Sequence, residues 1–276
     1  MRGGVDGDVS GDDGGREEMN LNEYYLVKVF SKEKYMTDFN SGKNIYINST
    51  NFFWKLENAF QQDEEGAIAH LPEGGYLIKT TPDVIHNSNS LDEILNCCNE
   101  KNKGQILAKA SEFSLRLNGY ICCFYLLPRK SVKFSKNTMS FRDARELKDF
   151  HLFLEKYIES SNNNDFYVSI YEPNTFCEIF FKGMKEKGYE IIYGKVKYKE
   201  NSDLEKIRLY QSNEYAATFF IKPLFYNYQK EFRIFITKQN EQIKDYISEN
   251  NIDIFNSVIG TFSFKSLSNT EYSKSQ

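Results

Sequence analysis

The stretch YNYQKEFRIFI, residues 226–236, sets a carboxylate and a guanidinium two residues apart inside an apolar segment, as Glu231 and Arg233. A strand points alternate side chains to opposite faces. Gln229, Glu231, Arg233 and Phe235 then share one face, and Phe232, Ile234 and Ile236 share the other, which reads as core. Two readings are open for the polar row. It pairs with charges on neighbouring strands of a half-solvated sheet, or it lines a cleft, where a carboxylate can move a proton or steady a positive charge. Two other segments carry polar breaks in apolar runs: Lys28 in YYLVKVF, and Asn48, Ser49 and Thr50 at the end of NIYINST, with Trp54 following. Taken singly, Lys28 reads as a charge that protects a sheet edge, and Ser49 or Thr50 as a helix N-cap.

The elements that must position these residues follow from periodicity. EYYLVKVF (23–30) is β-rich and reads as a strand. A short amphipathic helix follows, with Ser31 as cap, Tyr35, Met36 and Phe39 on its apolar side, and a stop at Gly42. KNIYINST (43–50) alternates and reads as a second strand. A helical turn, the acidic turn QQDEEG and a strand at 74–80 come next, then a helix from Ser90 with Glu93 completing a capping box. GYICCFYLLP (119–128) has the continuous apolar character of a central strand. Residues 142–160 form an amphipathic helix, 165–172 a strand, and 174–188 a helix closed by Gly188. The spacing predicts a strand with a glycine bend over 189–199, part helix over 215–223 and a strand over 229–237. The last 35 or so residues read as one more helix, a short strand (SVIGTFSF) and a polar tail. Seven or so strands with helices between them, several with polar alternation, point to an α+β fold with a mixed or mainly antiparallel sheet and flanking helices.

Composition bounds the rest. Forty per cent apolar content, with 19 Tyr and 23 Phe, is ample for a packed core. Residues 1–18 are Gly- and Asp-rich, with six acids and two bases, so they carry the whole net charge of −4 and leave 33 acids balanced by 33 bases. Such sequence cannot bury enough surface to order itself. The composition changes at Met19, and two readings stand: Met19 is the natural start, or 1–18 is an ordinary disordered tail. The domain reading is a disordered tail over 1–18, one α+β domain over 19–270 and a polar tail over 271–276. No stretch approaches the ~18–20 apolar residues of a membrane span. The five cysteines, at 97, 98, 122, 123 and 177, have no CxxC spacing and read as reduced thiols in a cytoplasm. His70, His86 and His151 are too scattered for a metal site.

The strand with Lys28, the strand end at Tyr46-x-x-Ser49-Thr50 with aromatics behind it, the acidic turn around Asp63-Glu64-Glu65 and the late strand Y-x-x-Q-K-E-F-R-I together resemble a set of bacterial proteins that accompany toxin and phage-defence genes. Their layout is in turn similar to the ADP-ribosyltransferase fold. The resemblance spans residues ~23–80 and ~215–237. It implies a basic residue on the first strand at Lys28, a Ser/Thr pair on the second at Ser49 and Thr50, and a catalytic glutamate at Glu231. Lys28 stands where that fold has Arg or His, and Asn-Ser-Thr stands where it has Ser-Thr-Ser. The implied substrate is NAD. Cleaving the nicotinamide–ribose bond develops oxocarbenium character, which Glu231 would stabilise while orienting or deprotonating the acceptor. Lys28 would hold a phosphate or ribose, Ser49 would support Glu231, and Tyr46 or Trp54 would stack on nicotinamide. Arg233 would pair with an acid such as Glu65 to fix the strand.

Other motifs are weaker. There is no P-loop, GxGxxG, HExxH or GxSxG. Asp63, Glu64 and Glu65 read as a solvated turn or, less simply, as ligands for a divalent ion. Residues 185–199 interleave lysines with tyrosines, a pattern that can touch nucleic acid, diluted by Glu186 and Glu190. Two functions are therefore carried forward. The first is a bacterial, cytoplasmic toxin or phage-defence effector that transfers ADP-ribose from NAD to a nucleic acid or protein, with an antitoxin or phage protein as partner. The second is a non-catalytic interaction or sensor module of the same fold, in which Glu231 and Arg233 are structural. A shared cleft of Lys28, Ser49 and Glu231 favours the first, and a salt-bridged Glu231 the second.

Overall fold

The computed structural model describes residues 20–50, 52, 119–135, 138–161, 165–200, 205–238 (save 207, 210, 211 and 213) and 243–265. The strand expected over 74–80, the helix from Ser90, Trp54 and the acidic turn with Glu65 lie outside them, as do residues 1–18. The strands are β1 (Tyr24–Phe30), β2 (Ile45–Asn48), β3 (Tyr120–Pro128), β4 (Val132–Ser135), β5 (Thr138–Phe141), β6 (Asp165–Tyr171), β7 (Glu190–Lys195), β8 (Lys197–Lys199), β9 (Ile221–Pro223), β10 (Glu231–Thr237), β11 (Tyr246–Glu249) and β12 (Val258–Lys265). The helices are α1 (Glu33–Asn40), α2 (Ala144–Ser161) and α3 (Pro173–Glu186).

Six strands form one sheet in the order β12-β6-β1-β3-β10-β7, and every pairing in it is antiparallel. The small pair β8–β9 is parallel, so the fold is α+β and mainly antiparallel, as the strand alternation predicts. β3 sits inside the sheet, as its unbroken apolar run requires. One face carries Leu26, Phe124, Leu126, Phe232 and Ile234 and is covered by α1, α3 and the ribbon β2–β11 through Phe39, Phe176, Phe180, Ile45 and Ile247. The other face carries Val27, Tyr125, Val168 and Ile170 and is covered by α2 and the β4–β5 hairpin through Phe150, Leu154 and Val132.

The helix ends follow elementary rules. Pro173 opens α3, where its missing N–H costs nothing, and Gly188, at φ +84°, follows its end. The cap of α1 is Lys32, without a side-chain bond, so the expected cap Ser31 lies one residue outside. Gly42, at φ +66°, turns the chain into β2, and an added Cβ there would lie 2.4 Å from the Ile252 carbonyl oxygen. The strand expected over 189–199 is interrupted at Val196 and not at Gly194: the buried Val196 still bonds the Glu231 carbonyl through its N–H, and the chain then runs on as β8 beside β9. The part-helix over 215–223 is a 3-10 turn (Tyr215–Phe220) followed by β9. In place of the expected late helix, the described residues 243–257 hold β11 and a 3-10 turn, since Ile247 must cover Ile47 across the ribbon. The β4–β5 hairpin is an addition; its VKFS and TMSF both alternate. Among the described residues no helix is long and apolar enough to cross a membrane.

Candidate functional site

β10 starts at a left-handed corner. Lys230 has φ 40° and ψ 51°, which turns the chain out of the 3-10 turn Leu224–Gln229. Its carbonyl accepts the Leu126 N–H at 2.8 Å, docking the corner onto β3. From there Glu231 to Ile236 are all buried. The polar row is therefore neither half-solvated nor open to a cleft. Gln229, Glu231 and Arg233 form an ion network inside the protein.

The geometry of that network is dense. Arg233, fully buried, donates from Nε to Glu231 Oε1 at 2.6 Å and from Nη1 to the Phe219 carbonyl at 2.7 Å. Lys222, 2% exposed, donates from Nζ to Glu231 Oε2 at 3.0 Å and to Gln229 Oε1 at 2.6 Å. The Glu231 N–H donates to the Tyr198 hydroxyl at 3.0 Å. Burial alone would raise the Glu231 carboxyl, but Arg233 and Lys222 outweigh it, with help from Cys123, and hold it well below the usual carboxylate range. Burial, then the Glu231 charge, pushes the Tyr198 phenol upward. Next to Glu231 in the β3 register lies Tyr125. Its hydroxyl donates to Glu146 Oε1 at 2.6 Å. Lys230 donates to Glu146 and Asp149 of α2 at 2.7 and 2.8 Å. Burial opposes the Lys230 charge, yet the hydrogen bonds to Asp149 and Glu146 hold its ammonium above its ordinary value. Each buried charge thus meets a partner of opposite sign, which is the condition for leaving charges inside a protein.

The expected companions of Glu231 stand elsewhere. Residues paired across a ladder share a face, so Val27, Tyr125 and Glu231 look one way. Lys28, one residue on, looks the other way with Phe124 and Phe232. Its ammonium packs 5.1 Å from the Phe124 ring centre and 5.4 Å from that of Phe39, and donates to Cys122 Sγ and the Cys123 carbonyl. Lys28 and Ser49 are not on neighbouring strands either: β1 lies between β6 and β3, while β2 pairs with β11. Ser49 is fully buried and its Oγ accepts the Phe52 N–H at 3.1 Å, the geometry of an N-cap. Thr50 exchanges bonds with Gly119. Tyr46 is half exposed and stacks on Tyr246 at 4.6 Å. Arg233 takes Glu231 as a carboxylate partner; Glu65, the partner expected for it, lies outside the described residues. The shared cleft of Lys28, Ser49 and Glu231 is not formed, because the sheet itself separates the first from the last.

Lys222, Tyr198, Glu146 and Lys230 were not singled out by the sequence reading. Lys222 carried the same signal as Glu231, a charge in the apolar run TFFIKPLF. Glu146 lies four residues before Phe150, on the apolar stripe of its helix. Among the described residues no group of three or more His, Cys, Asp or Glu side chains could hold a metal ion. Lys28 and Glu231 look to opposite faces of the sheet, so these two do not meet on one ligand as the resemblance implies for NAD. No protein-family model, no curated protein and no solved structure matches the chain.

Proposed function

We propose that the chain is a non-catalytic interaction or sensor module, in which Glu231 and Arg233 build the fold. One observation carries this reading: both oxygens of Glu231 are occupied by buried cations, Oε1 by Arg233 and Oε2 by Lys222. A carboxylate so held is a poor proton acceptor. Its work is to pair with two cations that would otherwise be stranded in the core without an anion.

The competing reading is the ADP-ribosyltransferase-like effector that uses NAD to modify a nucleic acid or protein. It would require Lys28 and Ser49 to serve the same ligand as Glu231, and the register sets Lys28 on the far side of the sheet. The test is incubation of the full chain with NAD labelled in its adenylate phosphate, together with a bacterial lysate. The module reading expects no transfer of label to protein or nucleic acid. Label that transfers with wild type and is lost in a folded Glu231→Gln variant would overturn it and restore the transferase.

A further inference from the structure

Among the described residues β7 ends the six-stranded sheet. Its inner side pairs with β10, and the Val196 N–H that bonds Glu231 fixes the phase of that pairing. By alternation, the N–H and C=O groups of Ile192 and Gly194 turn toward β10, and those of Ile191, Tyr193 and Lys195 turn outward. Ile192 and Tyr193 are 45% and 50% exposed, so side chains of both faces stand open along this edge. A long apolar edge is a pairing template unless something protects it.

Two features adjoin the edge. On the α3 side a hollow of about 570 Å3 is lined by Cys177, Glu178, Phe181, Lys182, Lys185 and Glu186. The Phe181 ring lies 4.5 Å from that of Tyr193, so the hollow adjoins the edge through this contact. Burial pushes the Cys177 thiol up to about 12, which keeps the floor uncharged. At the other feature the strand leaves the sheet through Lys195, Lys197 and Lys199, all exposed and with no acid between them.

We propose that β7 is a docking edge that takes an extended acidic segment of a partner protein as an added strand. The proposal rests on the module reading and gives it a surface. The outward groups of Ile191, Tyr193 and Lys195 bond the incoming backbone. An apolar side chain of the segment sits against Phe181 and Cys177 in the hollow. Its acidic residues meet Lys195, Lys197 and Lys199, which set its direction. A nucleic acid would use the lysines but has no strand backbone to match the edge.

The test is selection of a random dodecapeptide phage library on the full chain. Ile191→Pro is the first counter-target, because proline there removes an outward N–H and leaves the ladder to β10 intact. Lys195→Glu with Lys197→Glu is the second, and it keeps the test decisive if the proline variant does not fold. The expected result is a family of peptides with alternating apolar residues and at least two acids. Synthesised singly, they should bind wild type at least ten-fold tighter than either variant at unchanged circular dichroism. Peptides that bind wild type and both folded variants alike would overturn the proposal, as would no enrichment. Preferred binding of a single-stranded oligonucleotide, or a wild-type dimer that Ile191→Pro turns into a monomer, would assign the edge to another occupant and overturn it too. Absence of peptide binding with no NAD-derived labelling sinks this surface alone, whereas labelling lost in folded Glu231→Gln sinks the module reading whatever the peptides do.

Discussion

Glu231→Gln keeps the shape of the side chain and removes one charge, leaving Lys222 and Arg233 buried beside each other with no anion between them. Breaking a buried pair from one side costs about 3–5 kcal/mol, which in a domain of this size lowers the melting temperature by roughly 6–20 °C. A thermal melt by circular dichroism reads it; a fall under about 3 °C would mean the network is not structural. The pH dependence follows from the same residue. Its folded-state pKa is depressed, so the stabilisation is present in full above the unfolded carboxyl's ~4.3 and is lost as the pH falls from there toward the folded value. Between pH 5 and 3 the melting temperature of Glu231→Gln should therefore fall less steeply than that of wild type. Lys28→Met is the contrasting case. The ammonium sits among Phe30, Phe39 and Phe124 and has long contacts of 3.5 and 3.4 Å to Cys122 Sγ and the Cys123 carbonyl. Met fills that place without a charge to desolvate, so the variant should stay within about 1 kcal/mol of wild type, or roughly 4 °C. The sequence makes Glu231 and Arg233 legible because charges in an apolar strand must be answered. It does not say by whom, since Lys222 reaches them through the path of the chain between β9 and β10. Nor does it reveal the face of Lys28, which depends on register between strands nearly a hundred residues apart.

At the scale of elements, local pattern fixes most of what is described. β1, β3, β6, α2, α3 and β12 fall close to where period 2 and period 3.6 place them. The errors occur where tertiary need overrides pattern, as in β11, which pairs with β2 where a helix is expected. The turn after α1 is a tightly constrained joint. Gly42 there has φ +66°, and its neighbours are the backbone atoms of residues 252 and 253, which cannot swing aside as a side chain would. Its carbonyl also accepts the Asn251 N–H at 2.8 Å. Gly42→Ala pays the left-handed backbone cost of about 1–3 kcal/mol and adds a contact of 2.4 Å to a carbonyl oxygen. The expected outcome is a melting temperature lower by at least several degrees, with Gly260→Ala as control, since the nearest atoms to an added Cβ there belong to the Phe262 side chain at 3.2 Å. Equal melts for the two variants would show that the joint yields.

At the scale of the whole molecule, the described residues form a sheet with a core on each side, and β1, β3 and β6 are common to both. Phe180 anchors the side covered by α3, and Phe150 the side covered by α2. Each is essentially inaccessible to solvent. Because β1, β3 and β6 contribute Leu26, Phe124 and Tyr171 to one core and Val27, Tyr125 and Ile170 to the other, neither core can dissolve while its strands stay in place for the other. Unfolding should therefore be cooperative across the sheet. Phe→Ala in a core costs about 3–5 kcal/mol through lost burial and the cavity left behind. Phe180→Ala and Phe150→Ala should each lower the melting temperature by roughly 6–20 °C. Each should do so in one transition seen at the same temperature by far-UV dichroism and by tyrosine absorbance. The double variant tests the coupling further. Distant, independent sites add within about 0.5 kcal/mol, so its loss should match the sum of the single losses in a single transition. A variant that melts in two steps, with only half of the dichroism lost in the first, would show that the two layers fold separately and that the shared sheet does not bind them into one unit.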